Sequence, residues 1–274
     1  MTALTFEATS RRLTVAGVDL HLHEAGSGPL LLLIHGGAPG AYGWGNFGQN
    51  LPALAASYRT VIVDLPGYGR SERLPECAAP SGRYAANAAV FAELVCELGE
   101  TSAHVVGLAT GGAIAMAMAL DHPEVVDRLV LVSSAGALPL FTPSPSEGQK
   151  LIRTYYAGEG PSRDKMRAYL TMMLADPDLI TDELVEERYQ ASLTKVDDIG
   201  SPEQLWARVD EITAKTLVMW GRDNRVQGYD NALFLLQRIP DVEVHLFGRT
   251  GLWVPFERAA RFESLLIDFL EDQS

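Results

Sequence analysis

The sequence predicts an α/β protein built on one mostly parallel β-sheet. Short, nearly continuous apolar runs recur along the chain and alternate with stretches of helical periodicity. Continuous apolar runs are typical of strands covered on both faces, and regular β/α alternation favours a parallel sheet between two layers of helices. The alternation breaks after Gly136 and resumes near Thr216, which indicates a helical insertion within the sheet.

The predicted sheet has eight strands. Alternating apolar residues on either side of Ala16-Gly17 indicate a β-hairpin that turns there. Six further apolar runs predict the remaining strands, at Leu30–Ile34, Thr60–Val63, Ala103–Val106, Leu129–Val132, Thr216–Trp220 and Val242–Phe247. Helices are predicted between and after them, at Tyr84–Leu98, Gly112–Asp121, Asn231–Ile239 and Glu257–Glu271.

The insertion is predicted to form a helical cap over residues 138–207, which leaves residues 1–137 and 208–274 as the core. It follows the sixth strand and opens with a Pro- and Ser-rich loop. Helices are expected near Glu147–Tyr156, Ser162–Leu174 and Thr181–Thr194. Ser162 and Thr181 are expected to cap two of these helices, because a side-chain hydroxyl can accept from the free N–H groups of the first turn.

The composition excludes several classes of function. Of the 274 residues 47% are apolar and 21% are charged, so the chain can bury a core of ordinary size. The net charge of −13 argues against binding to nucleic acid or to anionic lipid. No apolar run approaches the roughly 20 residues that cross a bilayer.

The location and the cofactors are predicted from what the sequence lacks. The N-terminal residues do not show the basic start and the following apolar segment of a secretory signal, so we expect none. Cys77 and Cys96 have no metal-type spacing, which is typical of free thiols in the cytoplasm. No metal, flavin or dinucleotide motif is recognised, so we expect no metal and no cofactor.

Three glycine-rich segments follow predicted strands: His35–Gly40, Asp64–Ser71 and Gly107–Gly112. Their order and spacing resemble the α/β-hydrolase superfamily over nearly the whole chain. The segment Gly36–Phe47 is most similar to the meta-cleavage-product hydrolases, which break C–C bonds in 2-hydroxy-6-oxo-dienoates. The resemblance implies the α/β-hydrolase fold, a small-molecule substrate and a possible homodimer.

The resemblance also implies a serine nucleophile, an acid and a histidine base, in that order along the chain. Ala109 stands at the serine position of the Gly-x-Ser-x-Gly elbow, and Leu252 stands at the histidine position. Ungapped matching puts Asn224 at the acid position with Asp223 beside it, uncertain by one residue. No other histidine is placed to supply the missing base.

The remaining site residues are carried over from the resemblance. It implies an oxyanion hole formed by the N–H groups of Gly37 and Thr110, and these donors do not depend on a serine side chain. Arg188 matches the cap arginine that holds the substrate's carboxylate or enolate. The other residues expected to line the substrate site are Gly36, Ala38, Asn46, Leu108, Ala109, Leu252 and Trp253.

Several of these residues have a structural alternative. Arg188 could be a solvated surface arginine, because Glu186 and Glu187 precede it on a charged helix. Trp253 could serve packing alone, and Asn46 could only cap a helix. Leu108 replaces the family's asparagine, which puts the dienoate specificity in doubt.

The missing nucleophile and base favour a hypothesis of non-hydrolytic catalysis. We expect a cyclisation, isomerisation, pericyclic or lyase-type reaction of an apolar compound with a carbonyl, enol or carboxylate, in specialised-metabolite biosynthesis. Asp223 would assist as the one available carboxylate. Two alternatives stay open: a ligand-binding pseudoenzyme or receptor, and an atypical hydrolase in which Asp223 and the oxyanion hole position a water.

Overall fold

The computed structural model describes residues 4–75, 82–194 and 203–272. It contains one eight-stranded sheet with the strand order β1-β2-β4-β3-β5-β6-β7-β8. Strand β2 pairs antiparallel with β1 and β4, and the other pairings are parallel. The strands are β1 Ser10–Val15, β2 Val18–Ala25, β3 Leu30–Ile34, β4 Arg59–Val63, β5 Ala103–Leu108, β6 Val126–Val132, β7 Lys215–Gly221 and β8 Val242–Phe247. The predicted α/β-hydrolase architecture is confirmed.

Helices cover both faces of the sheet. Those outside the insertion are α1 Phe6–Thr9, α2 Gly43–Phe47, α3 Leu51–Leu54, α4 Arg83–Glu97, α5 Thr110–Asp121, α9 Asp230–Arg238, α10 Val254–Glu257 and α11 Ala259–Glu271. Strand β3 is fully buried, and its residues alternate between two apolar layers. Leu32 and Ile34 pack with α4 and α5, whereas Leu31 and Leu33 pack with α3 and α11. This explains why the central strands read as unbroken apolar runs.

Three helices of the insertion lie between β6 and β7: α6 Glu147–Thr154, α7 Arg163–Met173 and α8 Asp182–Ser192. The predicted caps are confirmed, since the hydroxyls of Ser162 and Thr181 accept from the third backbone N–H beyond them. Ser146 also forms a reciprocal capping box with Gln149 at the start of α6, in addition to the two predicted caps. The proposed cap limits of 138 and 207 stay a prediction.

Two further features bear on the expectations from composition. Within the described ranges, no helix combines the length and the apolar character needed to cross a membrane. Cys96 is an exposed free cysteine, and Cys77 lies outside the described residues.

Candidate functional site

The turn from β5 to α5 retains the backbone of a nucleophile elbow. Ala109 has φ 49° and ψ −112°, a left-handed conformation that residues with a Cβ rarely adopt. A Cβ on Gly107 would lie 2.3 Å from the Gly111 carbonyl oxygen, and a Cβ on Gly111 would lie 2.2 Å from that of Ile34. The glycines therefore permit the close crossing of strand and helix, although the central side chain is only a methyl group.

We expect Gly111→Ala to lower the free energy of unfolding by about 3 kcal/mol, since the new methyl group meets rigid backbone on β3. Urea denaturation followed by circular dichroism measures the change. The matched control is Gly248→Ala, where the nearest atom lies 3.8 Å away on the flexible Arg222 side chain. Its expected change is within about 0.5 kcal/mol. Equal destabilisation by both substitutions would contradict the close-crossing argument.

The loop after β3 lies directly against this elbow. A Cβ on Gly36 would lie 3.4 Å from the Ala109 Cβ, and a Cβ on Gly37 would lie 2.9 Å from the Thr110 Oγ1. The Thr110 N–H has no intrahelical acceptor, because Thr110 is the first residue of α5. The structure thus places Gly37 against Thr110 at the start of α5, the two residues whose N–H groups were predicted to form the oxyanion hole, and that role stays a prediction.

His35 holds this loop in place rather than acting in the site. Its Nδ1 donates to the Gly36 carbonyl over 2.6 Å, and its Nε2 accepts from the Leu65 N–H over 2.9 Å. Burial is the main cause that lowers the pKa of His35 to about 4. A neutral ring that uses both nitrogens for backbone bonds has no free position for proton transfer.

A cavity lies between the elbow and the cap. Its core side includes seven residues predicted to bind substrate, and its cap side is formed by α6, α7 and α8. Among the described residues that line it, none is an acid or a histidine. The lining consists of Gly36, Ala38, Pro39, Ala41, Asn46, Leu108, Ala109, Thr110, Ile152, Tyr169, Leu170, Met173, Arg188, Val226, Gln227, Leu252 and Trp253.

Arg188 is buried, and the alternative of a solvated surface arginine is therefore wrong. Its guanidinium donates to the carbonyls of Gly40 and Gly45 over 2.9 and 2.6 Å, and its carbon lies 4.2 Å from the Trp253 ring centroid. Its buried Nε has no hydrogen-bond partner among the residues that the structure describes. Burial is the main cause that lowers the pKa of Arg188. A cation held in this way can anchor an anionic group of a ligand at its free N–H.

Asn46 and Trp253 support the loop as well as lining the cavity. The Asn46 Oδ1 accepts from the Gly36 N–H over 3.3 Å, and the Trp253 Nε1 donates to the Asn46 carbonyl over 3.1 Å. Because its side chain accepts from the loop after β3, Asn46 is more than a helix cap. Trp253 also stacks on Phe256 with 4.2 Å between the ring centroids, so its packing role is real.

Asp223 lies outside the cavity, which corrects the expectation that it assists catalysis there. Its carboxylate accepts two hydrogen bonds from Arg222, and its side chain is 39% exposed in a surface groove. The hydrogen bond from Arg222 is the main cause that holds the pKa of Asp223 below its ordinary value. The neighbouring Asn224 is buried instead, and its Oδ1 accepts from the N–H groups of Val226 and Gln227.

The loop that carries Leu252 is tied to the cap. The Leu252 N–H donates to the Met173 carbonyl over 2.7 Å. The buried Glu257 carboxylate bridges the same two segments, because it accepts from the N–H groups of Gly251 and Ala175 over 2.8 Å each. Sequence reasoning missed Glu257, since only the tertiary structure brings these two segments together.

We expect Glu257→Gln to lower the free energy of unfolding by about 2 kcal/mol. An amide offers one acceptor oxygen where the carboxylate offers two, so one buried N–H loses its partner. Thermal denaturation of the purified variant measures this loss. Glu243→Gln, at an exposed position on β8, is the matched control with little expected change. A Glu257→Gln variant as stable as the unmodified chain would show that the bridge contributes nothing.

Comparison with known proteins identifies the family. The α/β-hydrolase fold family model matches residues 29–259. A 2-hydroxy-6-oxo-6-phenylhexa-2,4-dienoate hydrolase from Burkholderia cepacia is 35% identical, covering 98% of this chain and 99% of the relative. A 2-hydroxy-6-oxononadienedioate/2-hydroxy-6-oxononatrienedioate hydrolase from Paraburkholderia phymatum is 37% identical, covering 97% of each chain.

The solved structures agree with this relationship. The meta-cleavage product hydrolase CumD from Pseudomonas fluorescens IP01, solved as a serine-to-alanine variant with acetates, superposes with a TM-score of 0.85 at 30% identity. That match covers 96% of this chain and 98% of CumD. The relatives are enzymes named as hydrolases, so the expectation of a cyclase, isomerase, pericyclic or lyase-type enzyme of biosynthesis is wrong. With the sheet, the elbow and these relatives in agreement, the chain belongs to the α/β-hydrolase family, beside the meta-cleavage-product hydrolases.

Proposed function

We propose that this chain is a hydrolase for compounds of the 2-hydroxy-6-oxo-dienoate type, in which water attacks the keto carbon directly. One observation carries this proposal. The cavity beside Ala109 is lined by Thr110 at the start of α5 and by Arg188 of α8, with an apolar space between them. Among the described residues that line it, there is no nucleophilic serine, acid or histidine. The relatives are named as hydrolases of such dienoates, which supports the substrate class.

The two polar ends of the cavity suit the two ends of such a compound. A carboxylate or enolate can accept from the Nε of Arg188, which no described residue engages. The keto oxygen can accept from the N–H groups of Gly37 and Thr110, which lie next to each other, and such donors stabilise the charge that develops during the reaction. Leu108 restricts which dienoates fit the cavity. Its apolar side chain favours a substrate that has no polar group where it contacts Leu108.

The reaction balances without a covalent intermediate on the protein. Water adds to the keto carbon, and the resulting oxyanion is held by the two amide donors. Ketonisation of the 2-hydroxydiene has by then placed a proton on C5, so the C5–C6 bond breaks with its electron pair passing into the conjugated 2-keto group. The oxygen of the resulting dienolate takes the proton that water released. The products are a carboxylic acid and a 2-hydroxydienoate. Since the cavity supplies no base, we expect a rate only about 10³–10⁴ above the uncatalysed reaction, the level that remains when a catalytic triad is removed.

The test uses 2-hydroxy-6-oxo-6-phenylhexa-2,4-dienoate as the probe. Calorimetry measures its binding, and chromatography measures the release of benzoate. We expect saturable binding and a linear time course with no burst, because no acyl-enzyme forms. Ala109→Met, which fills the cavity, is expected to abolish both, whereas Ala56→Met at an exposed position leaves them unchanged. Binding without benzoate above the buffer rate would contradict hydrolysis, and absence of binding would contradict the substrate class.

A further inference from the structure

A second constellation of catalytic side-chain types lies at the edge of the sheet, where β1 pairs with β2. The Ser10 Oγ lies 2.8 Å from the His21 Nε2, and the His21 Nδ1 lies 2.8 Å from the Asp64 Oδ2. None of the three lines the cavity beside Ala109. We propose that Ser10, His21 and Asp64 form a second active site, in which Ser10 is an activated nucleophile towards small, activated acyl esters.

The hydrogen bonds set the direction of proton transfer. An ionised carboxylate only accepts, so the His21 Nδ1 carries the proton that it donates to Asp64. The Nε2 then presents a lone pair, and the Ser10 hydroxyl donates to it. Hydrogen bonds from a hydroxyl to a base, and from that base to an orienting carboxylate, are what an activated serine requires.

The base and the carboxylate are rigidly placed. The His21 N–H donates to the Ser71 Oγ over 2.9 Å, and the Ser71 hydroxyl donates to the Asp64 carbonyl over 2.8 Å. The Asp64 carboxylate also accepts from the N–H groups of Gly43 and Arg70. His21 and Asp64 are therefore held by backbone from several loops, which is the preorganisation that catalysis needs.

Accessibility distinguishes the nucleophile from its partners. His21 and Asp64 are 1% and 2% exposed, whereas Ser10 is half-buried at the start of the edge strand β1. An ester can thus approach the hydroxyl from solvent while the base stays shielded. A half-buried position at the edge of the sheet suits a small acyl group with a good leaving group, such as p-nitrophenyl acetate.

The proposed step balances as follows. The Ser10 Oγ forms a bond to the acyl carbon, and its proton passes to the His21 Nε2. The bond between the acyl carbon and the leaving oxygen breaks, and the alcohol leaves with the proton from His21. Water then attacks the acyl-serine by the same route, which releases the acid and restores the hydroxyl.

A serine-directed fluorophosphonate tests the proposal on the full chain. Peptide mapping by mass spectrometry is expected to find the label on Ser10, at a rate about 10² above that of the exposed Ser57, since general-base assistance contributes at least this factor. Ser10→Ala is expected to abolish the label and the burst of p-nitrophenol, and Ser57→Ala to change neither. A label distributed equally over surface serines would overturn the proposal and leave the three residues a structural network.

A second variant tests the role of His21 without the fluorophosphonate. Ser10→Cys places a thiol beside the His21 Nε2, and a neighbouring imidazole favours the thiolate. We expect iodoacetamide at pH 6 to alkylate this thiol at least about ten times faster than Cys96, the exposed cysteine that serves as an internal reference. Equal alkylation rates would show that His21 does not act as a base towards position 10.

Discussion

Restoring three side chains, with Ala109→Ser, Asn224→Asp and Leu252→His together, is expected to raise kcat/KM for dienoate hydrolysis by at least about 10². The elbow already has the backbone that presents a nucleophile, with Ala109 at φ 49°. Leu252 lines the same cavity as Ala109, so a histidine there faces the new serine. A complete triad in subtilisin contributes roughly 10⁶ in kcat, and a graft onto an unoptimised site recovers only part of that.

The acid position is the most favourable part of this design. The Asn224 Oδ1 already accepts from the N–H groups of Val226 and Gln227, and an aspartate preserves both bonds. The Asn224 Nδ2 is buried without a partner, so replacing it by oxygen breaks no hydrogen bond in the described structure.

Single substitutions provide the controls, because triad members act as a unit. Ala109→Ser alone is expected to gain less than about tenfold, since a serine without a base is a weak nucleophile. Steady-state kinetics with 2-hydroxy-6-oxo-6-phenylhexa-2,4-dienoate compare the variants. A triple variant no faster than the single one would show that residues 224 and 252 do not face position 109 as a working acid and base.

Asp64→Ala is expected to lower the free energy of unfolding by about 4 kcal/mol. The buried carboxylate accepts hydrogen bonds from His21, Gly43 and Arg70, and its removal leaves these donors without an acceptor. Each unsatisfied buried donor costs about 1–3 kcal/mol. Chemical denaturation measures the loss, with Asp268→Ala on the exposed face of α11 as the control. A loss below about 1 kcal/mol would indicate that water replaces the carboxylate.

The ionisation of Asp64 should make the stability of the fold sensitive to acid. Burial by itself would raise the pKa of Asp64, but the hydrogen bonds from His21 and from backbone N–H groups outweigh it and hold that pKa below the ordinary 3.8. A lowered folded pKa contributes stability above pH 3.8, and this stability is lost as the pH falls through the folded pKa. The unmodified chain should therefore lose stability below about pH 4 more steeply than Asp64→Ala does.

Local patterns determined the fold and the elbow. Unbroken apolar runs predict buried parallel strands wherever they occur, and glycines at 107 and 111 are needed wherever a strand and a helix cross this closely. The absence of a serine at position 109 and of a histidine at position 252 is likewise evident without any structure. The reaction class did not follow from these absences, and the relatives corrected it.

Only the tertiary structure decided which side chains meet. Along one loop, Asp223 faces solvent and accepts from Arg222, whereas the neighbouring Asn224 is buried and accepts from backbone N–H groups of the same loop. Arg188 appears on a charged helix, yet packing against core loops buries it. Ser10 and Asp64 contact His21 from positions 11 and 43 residues away in the chain, and local periodicity cannot predict such contacts. The sequence therefore determined the scaffold and the missing groups, whereas long-range packing decided the chemistry of what remains.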